Sequence, residues 1–389
     1  LSKLRIIVTG YVGCVPVGGV AWDYLQYVLG LAKLGHDVYY HEDTFKWPYH
    51  PVEEGRVADG TYSASYIEDF FKRYAPELCD HWHYLHLREK HFGISAKRFA
   101  EVASTADLFL NISGSCSIPQ QLSANCKKIF VDTDPGFNQI KMLEKKQQRS
   151  KTPGFLRSHD RYFTYAENIG SADCLLPDLE VEWMTTRMPV VLDLWEPFAR
   201  DVPTKESHWS TVMTWSEFKR GLVYKGVNYE SKAMEFEKII DLPQELDLGF
   251  TLAMGGQDPP LERFLQKGWN VLSGPVATKT AEQYRQFITK SRGEISASKN
   301  VYVALRTGWF SCRSACYLAA GRPVVVQDTG FQSVLPIGQG IRIFRDLKEA
   351  VNGIREIESN YEFHAKAAYE IARNYFDSND VLQRLIDDL

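Results

Sequence analysis

The chain has no Cys-x-x-Cys pair. Its seven cysteines, an odd number, are scattered at Cys14, Cys79, Cys116, Cys126, Cys174, Cys312 and Cys316. That spread speaks against a disulfide framework and for a reduced, cytoplasmic setting. No apolar run is long enough to span a bilayer, and no signal peptide is legible. The expectation is a chain without a transmembrane segment, with peripheral membrane contact left open. Basic excess is missing too: 45 Lys and Arg face 49 Asp and Glu, and a net charge of −4 provides no broad surface for nucleic acid. The glycine-rich loop from Gly10 to Gly19 lacks both Gly-x-Gly-x-x-Gly and the Walker A pattern, which argues against a nicotinamide site and a P-loop.

What is present is length, aromatic residues and a strand-helix alternation. At 389 residues the chain exceeds one ordinary α/β core, so two domains are expected. Nine Trp, 20 Tyr and 21 Phe suit a sugar site or simply a large core. Leu4 to Thr9 reads as a β-branched strand, followed by the glycine loop and a helix over about 22–34 that Gly35 stops. Asp37 to His41 completes an opening βαβ unit, which favours a doubly wound sheet. Residues 44–65 read as a loop and 66–103 as mostly helical. Strands follow at Asp107 to Ile112, Lys128 to Val131 and Tyr162 to Tyr165. Four prolines within 177–207 mark the interdomain connection. A second set of strands begins at Thr211, Phe250, Asn270, Gly293 and Val324, with a helix from Ala281 to Lys290 among them. The end reads as helices over 347–357, 363–375 and 381–389.

Polar residues cluster where such strands end, which is where open α/β sheets bind ligands. The densest cluster spans residues 306–330. Ser311 is placed to start a helix, Gly321 to stop it, and Val324 to Val326 to form a strand buried on both faces. Arg313 sits in the first turn, where a cation opposes the helix dipole, so an anion is expected to meet it. A diphosphate there would receive backbone N–H groups from Ser311, Cys312 and Arg313, with Arg306, Ser314, Asp328, Thr329 and Gly330 along the same edge. Lys299 reads equally as a phosphate partner or a solvated lysine.

In the first half, Gly18 and Gly19 would let backbone approach a ligand closely, or simply give the turn its freedom. Asp23 fits a catalytic role and a dipole-favoured first-turn carboxylate alike. Asp132 and Asp134 end a strand, so they suit a general base or a pair of turn residues. Glu167 lies in a comparable place, and His159 is a further candidate base. His81, His83, His86 and His91 suggest a metal at first sight. On a helix they would point to different faces, so a helix at the surface or core edge is expected and no metal site.

The order helix, Ala319-Ala320-Gly321-Arg322-Pro323, apolar strand, Asp328-Thr329-Gly330 resembles the donor half of nucleotide-sugar glycosyltransferases of the two-Rossmann (GT-B) architecture. The Gly18-Gly19 pair resembles their family 4. The resemblance implies two doubly wound α/β domains facing a cleft: residues 1–200 for the acceptor, 201–360 for a nucleotide-sugar donor, and 361–389 returning to the first domain. It implies a hexosyltransferase-type enzyme that uses a nucleotide-diphosphate sugar such as a UDP-sugar, needs no cofactor or catalytic metal, and binds an acceptor left open. Cys316 stands where that family carries a glutamate for the donor ribose, and Glu294 is the acidic residue that would serve from another loop. The rival readings are a nucleotide-sugar epimerase on the same fold and a non-catalytic nucleotide- or carbohydrate-binding protein.

Overall fold

The computed structural model describes residues 3–53, 55–143, 157–177, 181–215, 222–229, 232–256 and 259–389. The β-branched run Arg5–Thr9 lies inside an eight-stranded sheet. From one edge its strands are Trp183–Thr185, Arg161–Thr164, Lys127–Asp132, Leu108–Ile112, Arg5–Thr9, Asp37–Glu42, Trp82–His86 and Lys90–Gly93. Neighbours pair parallel except the last two, which form a hairpin. A second sheet holds Asn270–Ser273, Phe250–Gly255, Trp209–Thr214, Gly293–Ser296, Val324–Gln327 and Ile341–Phe344, all parallel. Strand order switches direction beside Arg5–Thr9 in one sheet and between Trp209–Thr214 and Gly293–Ser296 in the other. Crevices at such switch points are where open sheets bind ligands.

The expected helix over 66–103 is not what forms. A helix over Thr61–Tyr74 ends before Pro76, and Trp82–His86 and Lys90–Gly93 are strands before a second helix at Ala96–Ser104. Trp82–His86 is drawn into the sheet because it pairs with Asp37–Glu42, and that pairing overrides local helical pattern. The histidines therefore lie on a hairpin rather than a helix. His83 joins His41 at 3.1 Å and His91 at 2.8 Å in a stacked chain against Phe99. No group of three metal-ligating side chains gathers among the described residues. Burial holds His83 down to about 3 and His41 well below its usual value.

The helix Gly18–Lys33 is apolar on most of its surface because it is covered on several sides. Its Trp22 packs on Trp195, Phe70 and Tyr74, and donates its indole N–H to Ala281 O across the two halves at 2.8 Å. One core cluster runs continuously from Ile6 and Trp22 to Ala315 and Val324, so the halves share buried surface. The C-terminal helices split their duties. Tyr361–Tyr375 packs on Cys312–Ala319 of the second half and also against Glu196–Ala199 and Arg187. Its buried Ala368, Ile371 and Ala372 give it a face that fits that helix. Only Ser378–Asp387 crosses to Gly18–Lys33, where Gly30 leaves space for Ser378 and Leu382. No helix among the described residues is long and apolar enough to cross a membrane.

Candidate active site in the cleft

The helix Cys312–Ala319 starts at Ser311, whose backbone is extended but whose hydroxyl makes no capping bond. Around that start lies a small recess of about 10 Å³, lined by Ser296, Ser298, Trp309, Ser311, Ser314 and Gln327 among others. Ser314 Oγ is buried there without a hydrogen-bond partner among the described residues. A helix N-terminus beside unpaired hydroxyls favours an anion or a polyol. Arg313 is nearly enclosed. Its Nε meets Glu294 Oε1 at 2.5 Å, Nη1 meets Val212 O at 2.6 Å, and Nη2 meets Ser296 Oγ. The guanidinium is therefore held inward by its own half. Glu294 is fully buried, and its Oε2 lacks a partner among the described residues. Cys316, in the place of the family glutamate, is buried with its sulfur 3.8 Å from Gln26 Nε2.

Across the cleft, Asp23 faces this helix start. Burial lifts its carboxyl to about 7; Arg313 and a hydrogen bond from Cys312 pull it down, while Asp134 pushes it up. Asp134 accepts from Lys299 Nζ at 2.9 Å and from the Tyr302 hydroxyl, both from the second half. Lys299 sits at the N-cap of the short helix Asn300–Ala304. Trp309 Nε1 closes the same seam by donating to Thr133 O at 3.0 Å. Tyr11, from the glycine loop, lies in the field of Asp134, Asp23 and Lys299, and burial is the main reason its hydroxyl is hard to ionise. Tyr11, Tyr302 and Trp309 carried no motif in the sequence. Only the folded cleft singles them out.

Other expected site residues are drawn away from the cleft chemistry. Asp132 is fully buried and accepts from Asn138 at 2.7 Å, Gln139 at 2.7 Å and Thr164 at 2.9 Å. Desolvation raises it to about 6 against those three bonds. Its three donors tie it to the loop that carries Asp134 and to the neighbouring strand, which makes it a strut. Glu167 is 6% exposed and bound by Arg187 at Nε and Nη2. His159 is buried against Asn111 at 3.1 Å. Arg306 spans the halves to Asp173 at 2.6 Å and approaches Asp328 at 3.5 Å. Asp328 also receives Arg345 Nε at 2.9 Å and Gly330 N at 2.9 Å. Burial pushes Asp328 up, and the Gly330 N–H with the two arginines more than offset it, leaving the carboxyl below its usual value. Thr329 donates its hydroxyl to Trp309 O at 2.6 Å, fixing the loop that carries the cavity wall. Gly330 adopts φ of +96°, and a side chain there would press on Asn168.

The glycine pair meets protein. Gly18 N donates to Thr278 O at 2.8 Å, and a Cβ on Gly18 would collide with Thr280 O and Tyr284 Cβ. Gly19 lies under the Tyr284 ring. The loop before them is pinned by a residue without a sequence signal, Glu42. Its fully buried carboxylate accepts from Gly13 N at 2.6 Å, Cys14 N at 2.7 Å and the Tyr40 hydroxyl at 2.8 Å. Two consecutive backbone N–H groups that could cradle a ligand anion are thus occupied by an internal one. Burial raises Glu42 to about 7 despite these donors.

No protein-family model and no curated protein matches the chain. Solved structures do. The chain is similar over 99% of its length to 99% of an α-glucosyltransferase in complex with UDP-glucose and DNA containing an abasic site, with 11% identity and a TM-score of 0.62. An α-glucosyltransferase in complex with UDP matches over 99% of both chains at 13% identity and a TM-score of 0.57. A sucrose-phosphate synthase from Thermosynechococcus elongatus matches over 98% of both chains at 11% identity and 0.52. With two parallel sheets opposed across a cleft and a last helix returning to the first half, the chain has the two-Rossmann GT-B fold of these glycosyltransferases.

Proposed function

We propose that the chain is a glycosyltransferase that moves a sugar from a nucleoside diphosphate to an acceptor hydroxyl without a catalytic metal. One observation carries the reading: Asp23 bonds Cys312 at the start of the helix that Ser311 opens and lies in the fields of Arg313 and Asp134, and Asp134 takes Lys299 from the other half, at the facing edges of two sheets. A fold shared end to end with a UDP-glucose-bound α-glucosyltransferase supports the donor class. In this reading the diphosphate meets the N–H groups of Ser311 to Arg313 and the Lys299 ammonium. The acceptor oxygen bonds the anomeric carbon, and the bond from that carbon to the diphosphate breaks with its electron pair. The acceptor proton passes to a carboxylate. Asp134 and Asp23 are the candidates beside the helix start, whereas Asp132 is held by three donors of its own half and Glu167 is ion-paired to Arg187. A pKa near 7 suits Asp23 to proton transfer at neutral pH. Glu294 Oε2, buried and unpaired among the described residues, is the acidic atom available to a donor hydroxyl in place of the family glutamate. Arg313 acts by holding Glu294 rather than by reaching the phosphate. Seven free thiols support a cytoplasmic setting.

The test is a thermal-shift panel with UDP, ADP, GDP and dTDP, followed by hydrolysis of the matching sugar donors. One nucleotide at a hundred times its Kd should stabilise the protein by about 2.7 kcal/mol. Its sugar donor should release sugar slowly in water. No shift with any nucleotide and no hydrolysis would overturn the proposal.

A further inference from the structure

The two cations near the helix start differ in how they are held. Arg313 is bound within its own half by three acceptors, and its carboxylate partner is fully buried. Lys299 instead reaches across the cleft to Asp134, a pair that is 17% and 40% exposed. Its ammonium also lies 5.2 Å from the Phe137 ring and 5.7 Å from the Tyr302 ring. The Tyr302 hydroxyl points at the same carboxylate oxygen as Lys299. Asp134 belongs to a loop from the first sheet, whereas Lys299 and Tyr302 belong to the second half.

On the reading that this cleft binds a nucleoside diphosphate, we propose that Asp134 is an internal stand-in for the diphosphate at Lys299, and that the donor displaces it. Of the ammonium's three N–H donors one faces Asp134, and a phosphate oxygen that takes that donor brings a higher charge into the same position. A diphosphate brings more negative charge and also gains the helix N–H groups, so it wins the exchange. The displaced Asp134 loses its cation and becomes a better proton acceptor. Donor binding thereby readies the carboxylate for the acceptor hydroxyl, and the donor-free site keeps it occupied. Lys299 is in this sense a positioning residue for Asp134, in addition to any contact with phosphate.

The experiment is isothermal titration of the full chain with UDP, ADP, GDP and dTDP, comparing the wild type with Asp134→Asn, Lys299→Gln, the double variant and Tyr302→Phe. Removing the internal competitor should tighten the preferred nucleotide about fivefold in Asp134→Asn, the scale of one partly exposed ion pair. Tyr302→Phe loosens Asp134 without touching a charge, and should tighten binding by a smaller factor. Lys299→Gln should weaken it about tenfold, and adding Asp134→Asn to Lys299→Gln should change nothing further, because the competition has lost its object. Binding by the wild type with no tightening in either Asp134→Asn or Tyr302→Phe overturns this inference and leaves the glycosyltransferase reading intact. Tightening that persists in the double variant also overturns it. No nucleotide binding by wild type or Asp134→Asn removes both.

Discussion

Asp23→Asn is expected to make the protein more stable and less active, by amounts that depend on pH. The Asp23 carboxyl has an ordinary value of 3.8 and is lifted to about 7 in the fold, with burial as the main cause. The folded state therefore holds a proton that the unfolded chain has released between pH 4 and 7. Stability falls as pH rises through that window and is level above it. Roughly three units at about 1.4 kcal/mol each would set a ceiling of ~4 kcal/mol, and residual solvent contact brings the expected penalty at pH 8 to about 2 kcal/mol. Asparagine keeps the shape and carries no charge, so it should recover that amount at pH 8 and only about a third of it at pH 5. Glu42 and Asp132 are raised in the same sense and steepen the wild-type profile. They are common to both proteins, so the difference between variant and wild type isolates Asp23. Denaturant unfolding of both proteins at pH 5 and pH 8 reads the effect, and donor hydrolysis or transfer reads the other half. Removing a proton acceptor should slow turnover on the order of 100-fold. A variant less stable than wild type at pH 8 would refute the reasoning, since it would mean that Arg313 stabilises the Asp23 charge by more than burial opposes it.

Gly18→Ala should force the halves apart, because the new methyl meets Thr280 O and Tyr284 Cβ; a larger radius of gyration by small-angle scattering checks this. An unchanged radius with an unchanged melting temperature would mean that the two halves do not close on this glycine in solution. Glu42→Ala strips an acceptor from Gly13 N, Cys14 N and Tyr40, and should cost about 3 kcal/mol through the orphaned buried donors. Faster amide exchange confined to residues 12–17 is the local readout. Asp132→Asn should lower stability by about 2 kcal/mol while leaving turnover within a few-fold, because the carboxylate is a strut. A 100-fold loss of turnover at unchanged stability would return Asp132 to the chemistry.

Local pattern carried the strand-helix alternation. Ala281–Thr289 shows why: Thr280 and Gln283 form a capping box, and Ala281, Tyr284 and Ile288 share one buried face. Period, cap and stop signals are short-range, so a reader of the sequence reaches Val324–Gln327 and Gly293–Ser296 with their bounds intact. The helix start at Ser311 was legible for the same reason. The failures fall where distant partners decide. Trp82–His86 became a strand because Asp37–Glu42 lay beside it.

The site divides in the same way. Sequence alone put Asp134 and Lys299 just past the C-terminal ends of Lys127–Asp132 and Gly293–Ser296, and the 311–314 turn at a helix start, because strand ends fix direction. It could not determine which of them are spent on the protein itself. Asp132 and Asp134 are two residues apart and look alike as letters. One points back to Asn138, Gln139 and Thr164, and the other crosses the cleft to Lys299 and Tyr302. The strand ends at Asp132, so its alternation does not reach Asp134, and only the neighbours brought in by tertiary packing say whether an ionisable group is bonded, desolvated or left facing open space. The two sheets and their ligand edges are thus consequences of local sequence. The roles of Glu42, Asp23 and Lys299 are consequences of what the fold sets against them.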